Sequence, residues 1–577
     1  MRQFLTPIFL ALALFALSPQ RAAAQAAVNV ASYANPNLPS GSLAQGGMFT
    51  AFGTNLGPAA LQQAGSFPLP TSLAGTSIKV TVGGTTVDCI MVFTSAGQVA
   101  GILPSNTPTG AGTMTISYNG TATAPFAVTV VAHSFGTFGI NSAGSGPGVF
   151  TNAVTGAVNT ISSAAAPGSM FDIWGTGLGA VPFSDADLPT VQNLGYNVQV
   201  FVGGKQAQVI YAGRSGCCSG VDQIRFVVPD GVAGCYVPVY VVVNGVPSNF
   251  TSISIGAGGM CSDPGGLSSA ALADGDLTVG IINLSRTSID IDIAGVPGGI
   301  SQSQTTESAV ASYFGYDANG AIRQSLDNAL FTEGACTVYQ FSGEGGDYED
   351  PVLPRNLDAG PSTSVTNGTT TATLSKIQAG QYLATLSTPS IPGLPFSAAS
   401  QKALAKRISA EVFRASLGEG AEQSTSGFFN GGPYTYSAPG GADVGAHSKT
   451  LSASGLFDWT NKDAVNPVVR SQGQNITWTP FSGQTMIIGS SFQTFNGNEV
   501  FGAGFVCLAN GQNGSFQIPA SVLQLLPAST TFSAGGFTIE TGSLSAGKAV
   551  TEECQASGLD ICMMSYTDFA SKQVGYR

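Results

Sequence analysis

The chain has 577 residues and a formal net charge of −12, yet only 9% of its residues are charged, against 43% hydrophobic and 76 glycines. So long a chain exceeds one hydrophobic core and predicts several domains of about 100–150 residues each. Its acidity, with no basic cluster beyond Lys402, Lys406 and Arg407, argues against nucleic acid and anionic membranes as partners, and the scarcity of charge excludes the highly charged kind of disorder.

The first segment reads as an address. Arg2 precedes an apolar run from Phe4 to Leu17, and small residues follow at Ala22, Ala23, Ala24 and Ala26. A basic start, a short apolar core and an A-x-A site predict a secretory signal over residues 1–24, cleaved after Ala24 or Ala26. The run is short of the ~20 residues a bilayer crossing needs. Val237 to Val246 is apolar too, but it is short, β-branched and closed by Asn244-Gly245, a strand-and-turn signature. The expectation is a secreted, periplasmic or cell-surface protein without a transmembrane span.

A duplication follows. Gly47-Met48-Phe49-Thr50-Ala51-Phe52-Gly53-Thr54-Asn55-Leu56-Gly57 returns as Gly168-Ser169-Met170-Phe171-Asp172-Ile173-Trp174-Gly175-Thr176-Gly177-Leu178-Gly179. Downstream, Ile78-Lys79-Val80-Thr81-Val82-Gly83-Gly84 matches Val198-Gln199-Val200-Phe201-Val202-Gly203-Gly204, and Asn119-Gly120 matches Asn244-Gly245. The offset stays near ~120 residues, a domain-sized period. Period-two alternation with Gly-Gly and Asn-Gly turns predicts two tandem β-sandwiches, at 27–134 and 135–260. The G-T-x-L-G element is expected to end a strand and turn a corner, with Leu56 or Leu178 plugging the core. No helical segment follows those glycines, so they do not read as a phosphate cradle.

The order of these motifs, with a Q-[IV]…[LV]-P segment and a closing strand after Asn-Gly, resembles the IPT/TIG class of immunoglobulin-like domains. More closely it resembles a large set of secreted proteins of Acidobacteria and Solibacter. The second unit is similar to that set at Gly213-Arg214-Ser215-Gly216-Cys217-Cys218-Ser219-Gly220-Val221-Asp222-Gln223-Ile224 and at Gly234-Cys235-Tyr236-Val237-Pro238-Val239. The likeness continues through Gly440 to Gly445, Phe505-Val506-Cys507 and Phe516 to Ala520. It implies an immunoglobulin-like fold and export, and carries no activity to transfer.

After Cys261 a Gly- and Ser-rich linker is expected over 261–275, then a β domain over 276–390 that includes the alternating Ile289-Asp290-Ile291-Asp292-Ile293. From Ser397 to Glu419, Leu404, Ile408, Val412 and Phe413 recur at helical spacing between basic residues, which predicts an amphipathic helix inserted over 391–430 and covering a sheet. A C-terminal β-sandwich is expected over 431–577. The fold class is thus all-β: tandem immunoglobulin-like sandwiches with one inserted amphipathic helix. Trp459 and Trp478 lie in extended stretches of that last region; exposed, they would stack on sugar rings, and buried, they would be core.

Nine cysteines in an oxidising compartment predict disulfides with one thiol left over. Cys217, Cys218, Cys235 and Cys261 fall in the second unit and its exit, where three pairings are open. Because adjacent cysteines close a strained ring, Cys217 and Cys218 are each expected to bond to one of Cys235 and Cys261. Cys336 with Cys507 and Cys554 with Cys562 are the expected remaining pairs, and Cys89 the free thiol. Neither the cysteine spacing nor His133 or His447 fits zinc. The acidic turn with Glu344, Asp347, Glu349 and Asp350 reads as solvated or calcium-binding. The chain has no H-E-x-x-H motif, and Gly213-Arg214-Ser215-Gly216 lacks nucleophile-elbow spacing. The expectation is therefore a secreted, non-catalytic β-sandwich protein for surface attachment or protein interaction, with no cofactor; the alternative is an extracellular carbohydrate-binding or polysaccharide-active protein.

Overall fold

The computed structural model describes residues 23–262, 276–293, 300–317, 332–343, 355–387, 427–453, 455–495, 499–534 and 537–577. The described chain is built from β-strands, with a single four-residue α-helix at Ala520–Leu523. In the first unit one sheet runs in the order Ala23–Asn29, Met48–Thr54, Gln98–Ile102, Ile90–Thr94, Gln62–Gln63. The facing sheet centres on Phe126–Val131, Gly110–Tyr118 and Thr76–Val82. In Thr76–Val82 every second residue is fully buried, so Ile78, Val80 and Val82 meet Phe49, Val99 and Met114 between the sheets. Gly83 and Gly84, at φ 56° and 83°, supply the two positive φ angles that a two-residue hairpin requires before Thr85–Asp88.

The second unit repeats this plan with one change. Lys205–Arg214 is a single strand that pairs with Val198–Val202 at one end and with Asp222–Val227 at the other, bending at an irregularity between Val209 and Tyr211. One strand thus serves both sheets around a core of Phe150, Ile173, Val200, Phe226, Val239 and Ile253. Leu56 and Leu178 are fully buried in their respective cores, where the corner motif turns.

The two corner motifs meet each other. Met48 N–H donates to Thr176 Oγ1 (2.8 Å), whose hydroxyl donates to the Gly220 carbonyl (2.6 Å). Asn29 Nδ2 donates to the carbonyls of Ser134 (2.9 Å) and Thr176 (3.2 Å). A Cβ on Gly47 would stand 3.2 Å from Gly177 Cα, so the backbones pass at a distance that two side chains would widen. Beneath them lies Arg214, 1% exposed, whose guanidinium binds Asp222 and donates to the carbonyls of Gly46 (2.6 Å) and Gly179 (3.2 Å). Asp185, 3.7 Å from the same guanidinium, accepts from Ser105 N–H (2.7 Å) and its hydroxyl (2.9 Å). This network, desolvated at Arg214 and Asp222 and part-buried at Asp185 and Ser105, joins the two units.

Beyond residue 275 a single sheet takes in nearly everything. Its order is Cys336–Gly343, Glu499–Asn510, Gln484–Phe495, Gly542–Cys554, Ile561–Val574, Asp276–Ile293, Ile300–Asp317, Gln381–Ser387, Thr371–Gln378, Ser362–Thr366, Pro433–Ala438, His447–Ser452. The last strand curls back on Gly542–Cys554: Lys449 pairs with Glu552 (2.9 Å), and Gly445 N–H donates to the Ser557 carbonyl (2.8 Å). The roll so formed encloses Tyr313, Tyr382, Tyr434, Tyr436 and Tyr566. Near its wall, Glu307 accepts from the backbone N–H groups of Gly427, Phe428 and Phe429, while Arg286 binds Asp568 (2.9 Å). The other end of the sheet packs over Trp459, Trp478, Phe505, Leu526 and Tyr576, in a core that also takes Tyr240 and Phe250 from the second unit.

The division expected between 276–390 and 431–577 is therefore corrected. Asp276–Ile293 lies parallel to Ile561–Val574 in mid-sheet, so the two segments build one sheet and share the core around Tyr313 and Tyr566. Residues 388–426 lie outside the described residues, and with them most of the helix expected over 391–430; Gly427 to Asn430 are turn and bend. The signal segment up to residue 22 and most of the 261–275 linker lie outside them as well. No described helix is long and apolar enough to cross a membrane.

Arg214→Met removes the cation and leaves Asp222 and Asp185 desolvated without a counter-charge. The expected cost is about 3–5 kcal/mol, read as a fall in the first transition of a denaturant titration. An unchanged transition would mean that the junction does not depend on this network.

Candidate ligand-binding cleft

Three segments remote in sequence meet where the two sandwiches join the C-terminal sheet. They are the turn 32–38 after Ala23–Asn29, the loop 143–145, and Val338–Gln340 in the edge strand Cys336–Gly343. Together with Asn249, Phe250 and Leu525 they enclose a cleft of about 270 Å³. A second recess of about 230 Å³, between Pro39, Ser40, Gly245 to Pro247 and Gln524, shares Leu525 with it.

Local chemistry fixes each wall. Asn29 Oδ1 accepts from Ala31 N–H (2.8 Å) and Ser32 N–H (3.2 Å), while its carbonyl accepts from Tyr33 N–H (3.0 Å). The tight turn holds Tyr33 at φ 49°, a left-handed conformation that a bulky residue adopts only when its surroundings impose it. Gly144 closes the facing loop: a Cβ there would come 2.1 Å from the Ser32 carbonyl oxygen. Asn249 pins that loop from behind, accepting from Thr137 N–H (2.8 Å) and donating to the carbonyls of Thr137 (3.0 Å) and Gly144 (2.8 Å). From the third wall Gln340 Nε2 donates to Ser40 Oγ (2.9 Å). Tyr339, 43% exposed, and Tyr33, half-buried beside Phe52 (ring centroids 6.5 Å apart), supply aromatic surface.

Among the described residues, no Asp, Glu, His, Lys or Arg lines this cleft. Burial pushes the hydroxyls of Tyr33 and Tyr339 above the usual phenol range, so both stay neutral through physiological pH. The lining can stack, hydrogen-bond and exclude water. It holds no group poised to move a proton near pH 7.

The residues singled out from the sequence lie elsewhere. Trp459 and Trp478 are 5% and 2% exposed and pair across a bridge; their indole N–H groups donate to Asn461 Oδ1 (2.9 Å) and the Gly511 carbonyl (2.8 Å). Sugar stacking by either ring is thereby corrected: both faces belong to the core. Of the three tryptophans, Trp174 alone is half-exposed, on the outer face of the second sandwich, with its N–H on Thr151 Oγ1 (2.8 Å). His133 donates from Nδ1 to the Leu178 carbonyl (2.7 Å) and accepts at Nε2 from Asn244 (2.8 Å), a brace across the junction of the sandwiches. His447 is buried, bonded to the Gly445 carbonyl (3.0 Å) and to Tyr313 (3.0 Å). Glu344, Asp347, Glu349 and Asp350 lie outside the described residues, and among the described residues no group of His, Cys, Asp or Glu gathers as metal ligands.

The disulfides are Cys217–Cys218, Cys235–Cys261, Cys336–Cys507 and Cys554–Cys562, with Cys89 free. The crossed pairing expected for the first four is corrected, for a reason of position. Cys217 and Cys218 sit in the exposed tip of the loop 215–220, and Gly220 at its buried end reaches Ile102 and Met48 of the first sandwich. Cys235 and Cys261 instead lie beside Tyr236, Ile161 and Ala164, where Gly234 pairs with Ile255. Cys89 is fully buried, and burial pushes its thiol up, which leaves it unreactive.

The arrangement is that of a multi-sheet β protein with a neutral cleft at a three-way junction. No protein-family model matches the chain, and no curated protein matches it. Solved structures that it resembles include the extracellular region of plexin A4 (11% identity, 65% of this chain and 29% of that one, TM-score 0.16). Another is the glucan-utilization protein SGBP-B of Bacteroides ovatus, in complex with a mixed-linkage heptasaccharide (9% identity, 80% and 91%, TM-score 0.13). A third is an ICAM-5 ectodomain fragment (9% identity, 92% and 96%, TM-score 0.13). The chain spans less than a third of plexin's length, and at these scores the likenesses assign no residue a role.

Exposure makes one disulfide distinct. Cys217 and Cys218 face solvent, whereas all six other bonded cysteines are buried. A mild dithiol applied to the folded protein is expected to free those two thiols alone, read by alkylation and peptide mass. Labelling of Cys336 or Cys507 at the same dose would contradict this assignment.

Proposed function

We propose that the protein is a secreted, non-catalytic array of immunoglobulin-like and related β-sandwiches that holds an extracellular partner at a cell surface. The observation that carries this reading is the cleft at the junction of the three units, walled by pinned loops and lined, among the described residues, by no acid, base or cation. Loops on rigid sandwiches are where such folds place binding. Export is supported by the basic, then apolar, then small-residue order of the first 26 residues, and by four disulfides, which persist in oxidising compartments. The likeness of its motifs to the IPT/TIG class supports the immunoglobulin-like part of the reading.

The partner is an extracellular protein or a polysaccharide. The composition of the cleft favours the second, because aromatic rings set among amides and hydroxyls suit a polyhydroxylated ligand.

Two measurements test the reading. Purified full-length protein is expected to sediment with cells of the producing strain from which its own copy has been deleted; protein left in the supernatant would overturn attachment. Incubated with polysaccharides, it is expected to generate no new reducing ends, and their appearance would overturn the non-catalytic assignment.

A further inference from the structure

We infer that the three-way cleft is a binding site for a neutral glycan, held by Tyr339 and Tyr33, with Phe52 continuing the aromatic surface outward. The inference rests on the reading above that this is a binding protein, and it names the ligand class. Neutrality follows from the lining. Among the described lining residues an anionic sugar would meet no cation, and it would approach a chain that already carries a net charge of −12. A cationic ligand would find no carboxylate among those residues.

The aromatic groups lie where a sugar needs them. Sugar rings present C–H faces that pack on aromatic planes, and equatorial hydroxyls that exchange hydrogen bonds with amides and phenols. Tyr339 offers the more exposed ring, from a β-strand. Tyr33 faces the same space from a turn strained into the left-handed region, so its placement does not depend on ligand. The Tyr33 and Phe52 rings, 6.5 Å apart and tilted by 34°, extend the surface along the first sandwich. In the other direction, the adjoining recess past Leu525 lengthens the groove beyond a single ring.

The dimensions discriminate against a peptide. A strand added to the edge Cys336–Gly343 would need a run of open backbone, but among the described residues the cleft takes in just Val338 to Gln340 of that strand, with the turn 32–38 and loop 143–145 as its other walls. At about 270 Å³ it lies at the small end of ligand pockets, a size for a short glycan segment.

The test is affinity electrophoresis of the full-length protein through gels containing neutral glucan, mannan or xylan, with pectin and alginate as anionic counterparts. The expected result is retardation by at least one neutral polymer, insensitive to added salt. Tyr339→Ala and Tyr33→Ala should each weaken it about tenfold or more, while Tyr339→Phe stays within a few-fold because it keeps the ring. Leu188→Ala, exposed on the second sandwich and remote from the cleft lining, should bind as the parent does, and unchanged melting curves would show that the variants fold. The inference is overturned if no neutral polymer retards the protein, if retardation is indifferent to both tyrosines, if only the anionic polymers act, or if an extended peptide competes for the site. Absence of glycan binding in a protein that still sediments with cells overturns this inference and leaves the attachment reading standing. New reducing ends overturn that reading itself.

Discussion

One guanidinium holds the front of this molecule together. Arg214 lies where no water reaches, between two domains that share a fold and hence a motif, and its planar fork meets a carboxylate and two backbone carbonyls at once. A lysine would bring a point charge to a place whose acceptors are spread over a plane. Because Gly46 belongs to one copy of the duplicated corner and Gly179 to the other, the ion network fixes the angle between the sandwiches. That angle places the turn 32–38 against the loop 143–145, and the pair of them against the C-terminal sheet. The cleft is a by-product of this geometry: a gap left where three rigid bodies meet at fixed angles.

Duplication alone would have given two independent domains. Both copies contribute the contacts that make one body of them, and those of the second gather around one loop. Arg214 and Asp222 flank the loop that carries the adjacent cysteines, and Thr176 reaches from its own corner to Gly220 in that loop and to Met48 in the other copy. A loop tied at both ends in this way positions its neighbours even while its tip, with Gly216, Cys217 and Cys218, stays in solvent.

The two front units were legible because their signals are local. Gly83-Gly84 and Gly203-Gly204 announce hairpins, Thr76–Val82 alternates, and Leu56 and Leu178 sit in corners that a repeat makes visible. The pairing of Asp276–Ile293 with Ile561–Val574 left no local trace, since both strands read as ordinary alternation and the partner lies about 280 residues away. The tryptophans show a different limit. Periodicity says that a ring alternates in or out but not which face of a large sheet is covered, and in Trp459 and Trp478 both faces are. Tyr33 and Tyr339 gave no signal, because a cleft drawn from three remote segments has no motif. The adjacent cysteines misled through a sound premise: ring strain disfavours their bond, but Cys235 and Cys261 pack together in a cluster that includes neither of them.

The parallel pairing at the heart of the C-terminal sheet has a consequence for how the chain reaches its fold. The strand at 561–574 is synthesised about 280 residues after its parallel partner, yet it stands mid-sheet, flanked by Gly542–Cys554 and by Asp276–Ile293. Until it arrives, the hairpin at 276–317 has one open flank and nothing to pair with there. The first two sandwiches, whose contacts close within about 120 residues, can complete themselves early, while the large sheet behind them waits on the pairing of 276–293 with 561–574. Assembly thus runs in two tempos, and the slower one keeps long strand edges unpaired until residues 561–574 are in place.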